Sequence, residues 1–297
     1  MAAGFLLWGA TFAAFVLLFP LVSDAAHPLP GYALFLLLGM LPWTLRLYRL
    51  AFRHGRTTAI AVVVQGAVVA GLTYPVHIAA THAAYWTYAM NQDRLLGLRI
   101  GGVPFEEYFF YPLTINLAVL AYLWLGELMQ ARRLPELPVS RRNVRICLLA
   151  IAGVGAALFA WTWVAVRQPG QVVDPAQLLW RGPADPSFVG GPREAGWALV
   201  CFGSLACNFL LMAWAETHAL LRLRAVLPTT VLFFLICLLV DLLGISRGWW
   251  VFNAQQTSGL WVGPLPLENL ASYLTGVPLA LTVFEGCRRL LGERGPV

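Results

Sequence analysis

The sequence predicts an all-α polytopic membrane protein of about eight transmembrane helices, arranged as a parallel 4+4 internal repeat. Three observations carry this. Composition is the first: of 297 residues, 59% are hydrophobic and 11% charged, with mean hydropathy +0.71. A soluble domain carries roughly 25% charged residues. The second is a succession of apolar runs close to the ~20 residues that span a bilayer, alternating with arginine-rich and arginine-poor connections. The third is a motif that recurs at a fixed offset, once in each half of the chain.

The apolar runs cover residues 4–22, 31–50, 58–80, 104–128, 144–166, 195–215, 225–245 and 264–288. The first has no basic segment before it and no convincing cleavage site, so it reads as a retained helix rather than a signal peptide. Every cationic Lys/Arg position is arginine. Arg46, Arg49, Arg53 and Arg56 cluster around the end of the second run, and Arg132, Arg133, Arg141, Arg142 and Arg145 follow the fourth. Arg222 and Arg224 follow the sixth, and Arg288, Arg289 and Arg294 end the eighth. The other connections are poorer in arginine for their length. By the positive-inside rule, eight helices then leave both termini cytoplasmic. A net charge of +6 clustered this way speaks of topology, and no nucleic-acid partner is implied.

Gly97-Leu-Arg-Ile-Gly-Gly-Val-Pro-Phe-Glu-Glu107 and Gly259-Leu-Trp-Val-Gly-Pro-Leu-Pro-Leu-Glu-Asn269 are related by an offset of 162. Gly97 falls on Gly259, Gly101 on Gly263, Pro104 on Pro266 and Glu106 on Glu268. At the same offset Tyr88–Asn91 falls on Trp250–Asn253. An even number of helices per half gives both copies one orientation, which is a parallel repeat. The halves are expected at residues 1–129 and 144–297, joined by a cytoplasmic linker at 130–143. Each prolyl residue suits the first turn of a helix. That places Glu106, Glu107 and Glu268 at a positive helix terminus just inside the membrane.

An ionisable side chain below the membrane surface is a functional candidate by default. Glu106, Glu107, Glu268 and Asp241 are the candidate catalytic acids. Glu127 and Glu285 lie among arginines and read as solvated. A carboxyl in an apolar setting favours its neutral, proton-donating form. A helix cap at the interface is the other reading of a single such glutamate; the repetition and the doubled acid favour chemistry. Trp86, Tyr88, Phe110, Tyr111, Trp249, Trp250, Trp261 and Tyr273 surround the acids. Some belong to an interfacial aromatic belt, and the rest suit a π-lined pocket that steadies a developing carbocation. The offset places Asp241 on Ala79, which leaves His77 and His82 as the nearest ionisable groups of the first half. His82 is the stronger candidate for proton relay or substrate contact. His27, His54 and His218 read as solvated.

The five cysteines, Cys147, Cys201, Cys207, Cys237 and Cys287, have neither metal-ligand spacing nor a disulfide pattern. No nucleotide-binding glycine motif and no serine-hydrolase arrangement can be placed. Gly153-Val-Gly155 reads as helix-packing sequence. Neither a metal nor a cofactor is called for.

Pro104-Phe-Glu-Glu-Tyr-Phe-Phe110 and Pro266-Leu-Glu-Asn269, each after a tryptophan and a glycine, resemble the membrane-integral lycopene cyclase domain family. That family includes the heterodimeric bacterial cyclases, the archaeal fused forms and the cyclase half of the fungal bifunctional proteins. The resemblance covers mostly runs 2–4 and 6–8; family members look like repeats of about three helices, which makes the first and fifth runs additions. It implies redox-neutral cyclisation of lycopene ends to β-ionone rings, giving γ-carotene and then β-carotene, by an isomerase of the intramolecular lyase type. The acid would be Glu106 or Glu107, and the base the partner carboxylate or Glu268. The partners implied are lycopene, or a similar polyprenoid drawn from the bilayer, and membrane lipid. A homo-oligomer or a complex with other carotenoid enzymes stays open. The expected location is a bacterial or archaeal inner or plasma membrane. Asn269 replaces the second acid in the second copy, and the first copy has no counterpart of Asp241, so one complete site is expected rather than two equal ones. The alternatives are a related terpenoid cyclase or hydratase and, in a different class, a carotenoid-binding subunit or a proton-coupled transporter.

Overall fold

The computed structural model describes residues 14–15, 31–83, 85–88, 95–132, 139–167 and 194–293. The first apolar run lies almost wholly outside the described residues, as do residues 168–193 of the connection after the fifth. Within the described residues seven helices are long and apolar enough to cross a membrane. They are α1 (Gly31–Arg53), α2 (Arg56–His82), α3 (Glu107–Ala131), α4 (Arg141–Val166), α5 (Gly196–Trp214), α6 (Leu223–Ser246) and α7 (Leu267–Leu290). A π-helical turn at Leu36–Met40 interrupts α1, and another, Thr162–Val166, ends α4. The only strands among the described residues are short: β1 (Trp86–Tyr88), β2 (Arg99–Ile100), β3 (Val103–Pro104), β4 (Trp250–Phe252), β5 (Trp261–Val262) and β6 (Leu265–Pro266).

Helices α3 and α7 form the centre. α3 packs on α1, α2 and α6, and α7 packs on α5, α6 and α2. Apolar residues run all round these two helices, as they must where every face meets protein or lipid. Leu117, Leu120 and Leu123 of α3 and Leu281 and Phe284 of α7 are fully buried. α4 leans on α5 through Gly155, where an added Cβ would lie 2.8 Å from the Ala206 amide nitrogen; only glycine permits that backbone approach.

At the arginine-rich end, four helices are tied by a buried polar cluster. The Tyr122 hydroxyl of α3 donates to Glu285 of α7 at 3.0 Å and accepts from the Arg222 amide at 3.1 Å. Arg288 donates to Glu285 at 2.9 Å and to Glu293 at 2.6 Å. Thr58 of α2 donates to Glu293 at 3.1 Å. Glu285 is thus an interior residue, 1% exposed, and the expectation of a solvated acid is corrected: the helix end carries its own cation to it. Glu127 pairs with His54 at 2.9 Å. His218 is also buried and bonds the Met212 carbonyl at 3.3 Å.

The prolines depart from expectation too. Pro104 ends β3, paired with Arg99, and Pro266 ends β6 and caps α7. Neither lies in the first helical turn. A proline tolerates the end of a two-residue edge strand because no ladder donor is required there.

Breaking the buried pair leaves an uncompensated charge. Arg288→Met is expected to lose roughly 3–5 kcal/mol, seen as a lower thermal midpoint of the detergent-solubilised protein. Adding Glu285→Gln to Arg288→Met should recover part of that loss.

Candidate active site

Each copy of the motif forms the same small hairpin. β2 pairs with β3 through Arg99–Pro104 and Ile100–Val103, and β5 pairs with β6 through Trp261–Pro266 and Val262–Leu265. The two pairings are identical at an offset of 162. Gly101 and Gly263 turn the hairpins at φ 59° and 60°, a left-handed conformation that glycine adopts without strain. The Phe105 amide donates to the Leu98 carbonyl, and the Leu267 amide to that of Leu260, both at 2.9 Å.

Glu106 and Glu268 close these hairpins. Glu106 Oε1 accepts from the Leu96 amide at 2.5 Å. Glu268 accepts from the Ser258 amide and from its hydroxyl, both at 2.8 Å. Both glutamates are buried, but they face back into their own loops. The first copy has Leu96 where the second has Ser258, and Glu106 Oε2 is left buried without a hydrogen-bond partner.

Glu107, one residue further on, faces the other way. Successive helical residues turn by about 100°, so adjacent acids point to different surroundings. Glu107 is 4% exposed and its Oε1 accepts from the Tyr32 hydroxyl at 2.7 Å. Its Oε2 lies 4.0 Å from His77 Nε2. His77 bridges two phenols, with Nε2 2.6 Å from the Tyr88 hydroxyl and Nδ1 2.7 Å from that of Tyr111. Burial, with Glu107 close by, pushes the Tyr88 hydroxyl well above the ordinary tyrosine range. It therefore stays a phenol at any physiological pH.

At offset 162, the second half places Asn269 on Glu107 and Tyr273 on Tyr111. Asn269 donates to Asp241 and to the Tyr273 hydroxyl. Asp241 does not correspond to Ala79, however. Strands β1 and β4 pair antiparallel, with Trp86 opposite Phe252 and Tyr88 opposite Trp250. The preceding helix ends close with equivalent bonds, Tyr85 amide to Ala80 carbonyl and Trp249 amide to Gly244 carbonyl. Both relations have an offset of 164. They put Trp86 on Trp250, Tyr88 on Phe252 and His77 on Asp241. The first connection is two residues longer between strand and hairpin, which is why the ungapped register fails at Tyr88; residues 89–91 lie outside the described residues. The two halves thus present a histidine–glutamate pair and an aspartate–asparagine pair at matching positions.

These groups converge on a cavity of about 370 Å³. His77, Glu107 and Asp241 line it, and Trp86, Phe110, Tyr111, Trp250 and Tyr273 supply much of its aromatic wall. Tyr88 lines it as well. Glu106, Glu268, Trp249, Trp261 and His82 do not line it. Trp249 packs behind it, with ring centroids 5.1 Å from Tyr32 and 5.9 Å from Phe35. Trp261 sits in β5, and His82 is exposed beside Gly102. Sequence reasoning missed Tyr32 and Trp197 and gave His77 too little weight. Tyr32 and Trp197 open α1 and α5 and make matching ring contacts, Tyr32 with Trp250 at 5.5 Å and Trp197 with Trp86 at 4.8 Å. Among the described residues no group of three His, Cys, Asp or Glu side chains could hold a metal ion. The chemistry the cavity offers is proton donation and acceptance inside an apolar, aromatic enclosure.

A family model described as lycopene cyclase matches residues 30–125 and 196–286. The two matched regions together make up more than half of the chain, each holds three of the membrane helices, and α4 falls between them. The protein belongs to the lycopene cyclase family. It is an integral membrane enzyme of carotenoid cyclisation. No curated protein and no solved structure matches the chain.

The loop contacts make a reciprocal prediction. Ser258→Ala is expected to destabilise by about 1 kcal/mol, the usual net worth of one hydrogen bond. Leu96→Ser, which offers Glu106 the missing donor, should raise the thermal midpoint. Both can be read by thermal unfolding in detergent.

Proposed function

We propose that this protein is a lycopene β-cyclase with a single site shared by its two unequal halves. Glu107 is the acid and Asp241 the base. The observation that carries this assignment is that Glu107 and Asp241, one from each half, line the same aromatic cavity. Glu106 and Glu268 bond their own loops instead and are reassigned from catalysis to holding the hairpins.

The reaction is an isomerisation. The Glu107 carboxyl transfers its proton to the terminal alkene of a lycopene end, leaving a tertiary cation. A second alkene of the same chain supplies the electron pair that closes the six-membered ring, and the charge moves onto the ring. Asp241 removes a ring proton, which forms the β-ionone double bond. One proton enters and one leaves, so neither oxidant nor reductant is consumed. The faces of Trp86, Phe110, Trp250 and Tyr273 stabilise the cation without trapping it. Tyr32 and His77 orient the Glu107 carboxyl. Repetition at the second end converts γ-carotene to β-carotene. The arginine-rich helix ends support a cytoplasmic location for both termini, with the cavity toward the opposite surface.

Expression in a lycopene-accumulating host, followed by pigment analysis, tests the reading. The expected products are γ- and β-carotene, with solvent deuterium incorporated into the new ring when the cells grow in D2O. Unchanged lycopene contradicts cyclisation, and hydroxylated products contradict deprotonation as the final step. Asp241→Asn should slow conversion about 10²- to 10⁴-fold, the usual contribution of one acid–base group, at wild-type protein levels.

A further inference from the structure

The cavity is at the small end of the roughly 300–1,000 Å³ range of pockets that enclose a whole drug-sized ligand. A tetraterpene is far longer than one end group, so the remainder of its chain needs an exit. Three of the residues that line the cavity are exposed: Val76 of α2, at 51%, Ser204 of α5 and Gly276 of α7. They come from three helices that are neighbours on one side of the bundle. α2 and α5 both pack on α7 without packing extensively on each other. By the 1.5 Å helical rise, the three residues lie about 9–14 Å below the outer ends of their helices, within a hydrocarbon core about 30 Å thick.

Above this point the gap is shut. Trp197 meets Trp86 at 4.8 Å and Tyr85 at 6.1 Å between ring centroids. Gln256 accepts from the Gly196 amide at 3.0 Å and donates to Glu194 at 3.1 Å. No described atom outside its own helix turn lies within 4 Å of a Cβ built on Gly276. No packing contact therefore requires a glycine there, although a glycine inside a helix weakens it. The matching position in the first half, Thr114, is buried and contacts Met40, so that side has no such opening.

We infer that the cavity opens sideways into the bilayer between α2 and α5, over Gly276, and that the polyene of the substrate lies in this opening while one end group occupies the cavity. The inference rests on the carotenoid cyclase reading and adds where the long chain runs. It makes Gly276 a residue that selects for chain length: a bulky side chain there blocks a long polyene and still admits a short isoprenoid.

The test uses the full chain in lipid nanodiscs, with lycopene as the long probe and geranyl acetate as the short one. Binding is read from quenching or shift of tryptophan fluorescence, and turnover from pigment analysis. Gly276→Phe and, from the opposite wall, Ser204→Phe are expected to weaken lycopene binding and conversion at least tenfold while leaving geranyl acetate binding within about twofold. Gly71→Phe, on an exposed part of α2 with open space around it, should leave both unchanged. Wild-type lycopene binding in both bulky variants overturns the opening, as does loss of both probes in both. Should the wild type bind lycopene without cyclising it, the proposed function falls and the opening is judged by binding alone. Should the wild type bind neither probe, both fall.

Discussion

Two adjacent carboxyl groups must both be accommodated inside the protein, and the architecture follows from how this is done. A buried carboxyl without partners costs several kcal/mol. Helical geometry separates the pair. Glu106 turns back and binds the Leu96 amide, which closes the loop that delivers α3 to the membrane. Glu107 turns inward and is held by Tyr32, close to a histidine that bridges two phenols. One acid builds the hairpin, and that hairpin fixes the start of the helix that presents the other acid to the cavity.

The second half repeats the construction and changes its chemistry. Glu268 anchors its loop as Glu106 does, while Asn269 stands in the place of Glu107 and bonds Asp241. The β1–β4 ladder joins the halves at the end opposite the arginine-rich one and brings the histidine–glutamate pair and the aspartate–asparagine pair to one cavity. Two like hairpins thereby bring unlike polar pairs to one cavity. Under the proposed mechanism, such asymmetry suits a reaction that adds a proton at one carbon and removes a different proton from another.

Much of this was legible in the sequence. Hydropathy placed the described membrane helices to within a few residues, because apolar length is set by bilayer thickness. The offset of 162 set the two motif copies in the register that their hairpins share, but the hairpins themselves went unread, and both prolines were placed in a helical turn. What the sequence could not give was direction. The same motif reading applied to Glu106 and Glu107, and only the backbone decides which carboxyl returns to its loop. The two-residue difference between β1 and the first hairpin hid the match of His77 with Asp241, because a fixed offset cannot see a length change. Tyr32 was invisible for another reason, as it lies 75 residues from its partner and carries no local signal. Glu285 and its arginine looked like a solvated helix end, since composition does not distinguish a cation in water from one folded back on a buried acid.

The central claim is the division of labour between neighbouring glutamates, and it is tested most directly by comparing Glu107→Gln with Glu106→Gln in a lycopene-accumulating host, with pigment yields normalised to membrane-inserted protein. The account predicts that Glu107→Gln accumulates in the membrane and leaves lycopene uncyclised. Glu106→Gln should lower thermal stability, yet whatever folded protein remains should form cyclic carotenoids. Cyclisation by Glu107→Gln, or a complete loss confined to well-folded Glu106→Gln, would contradict it.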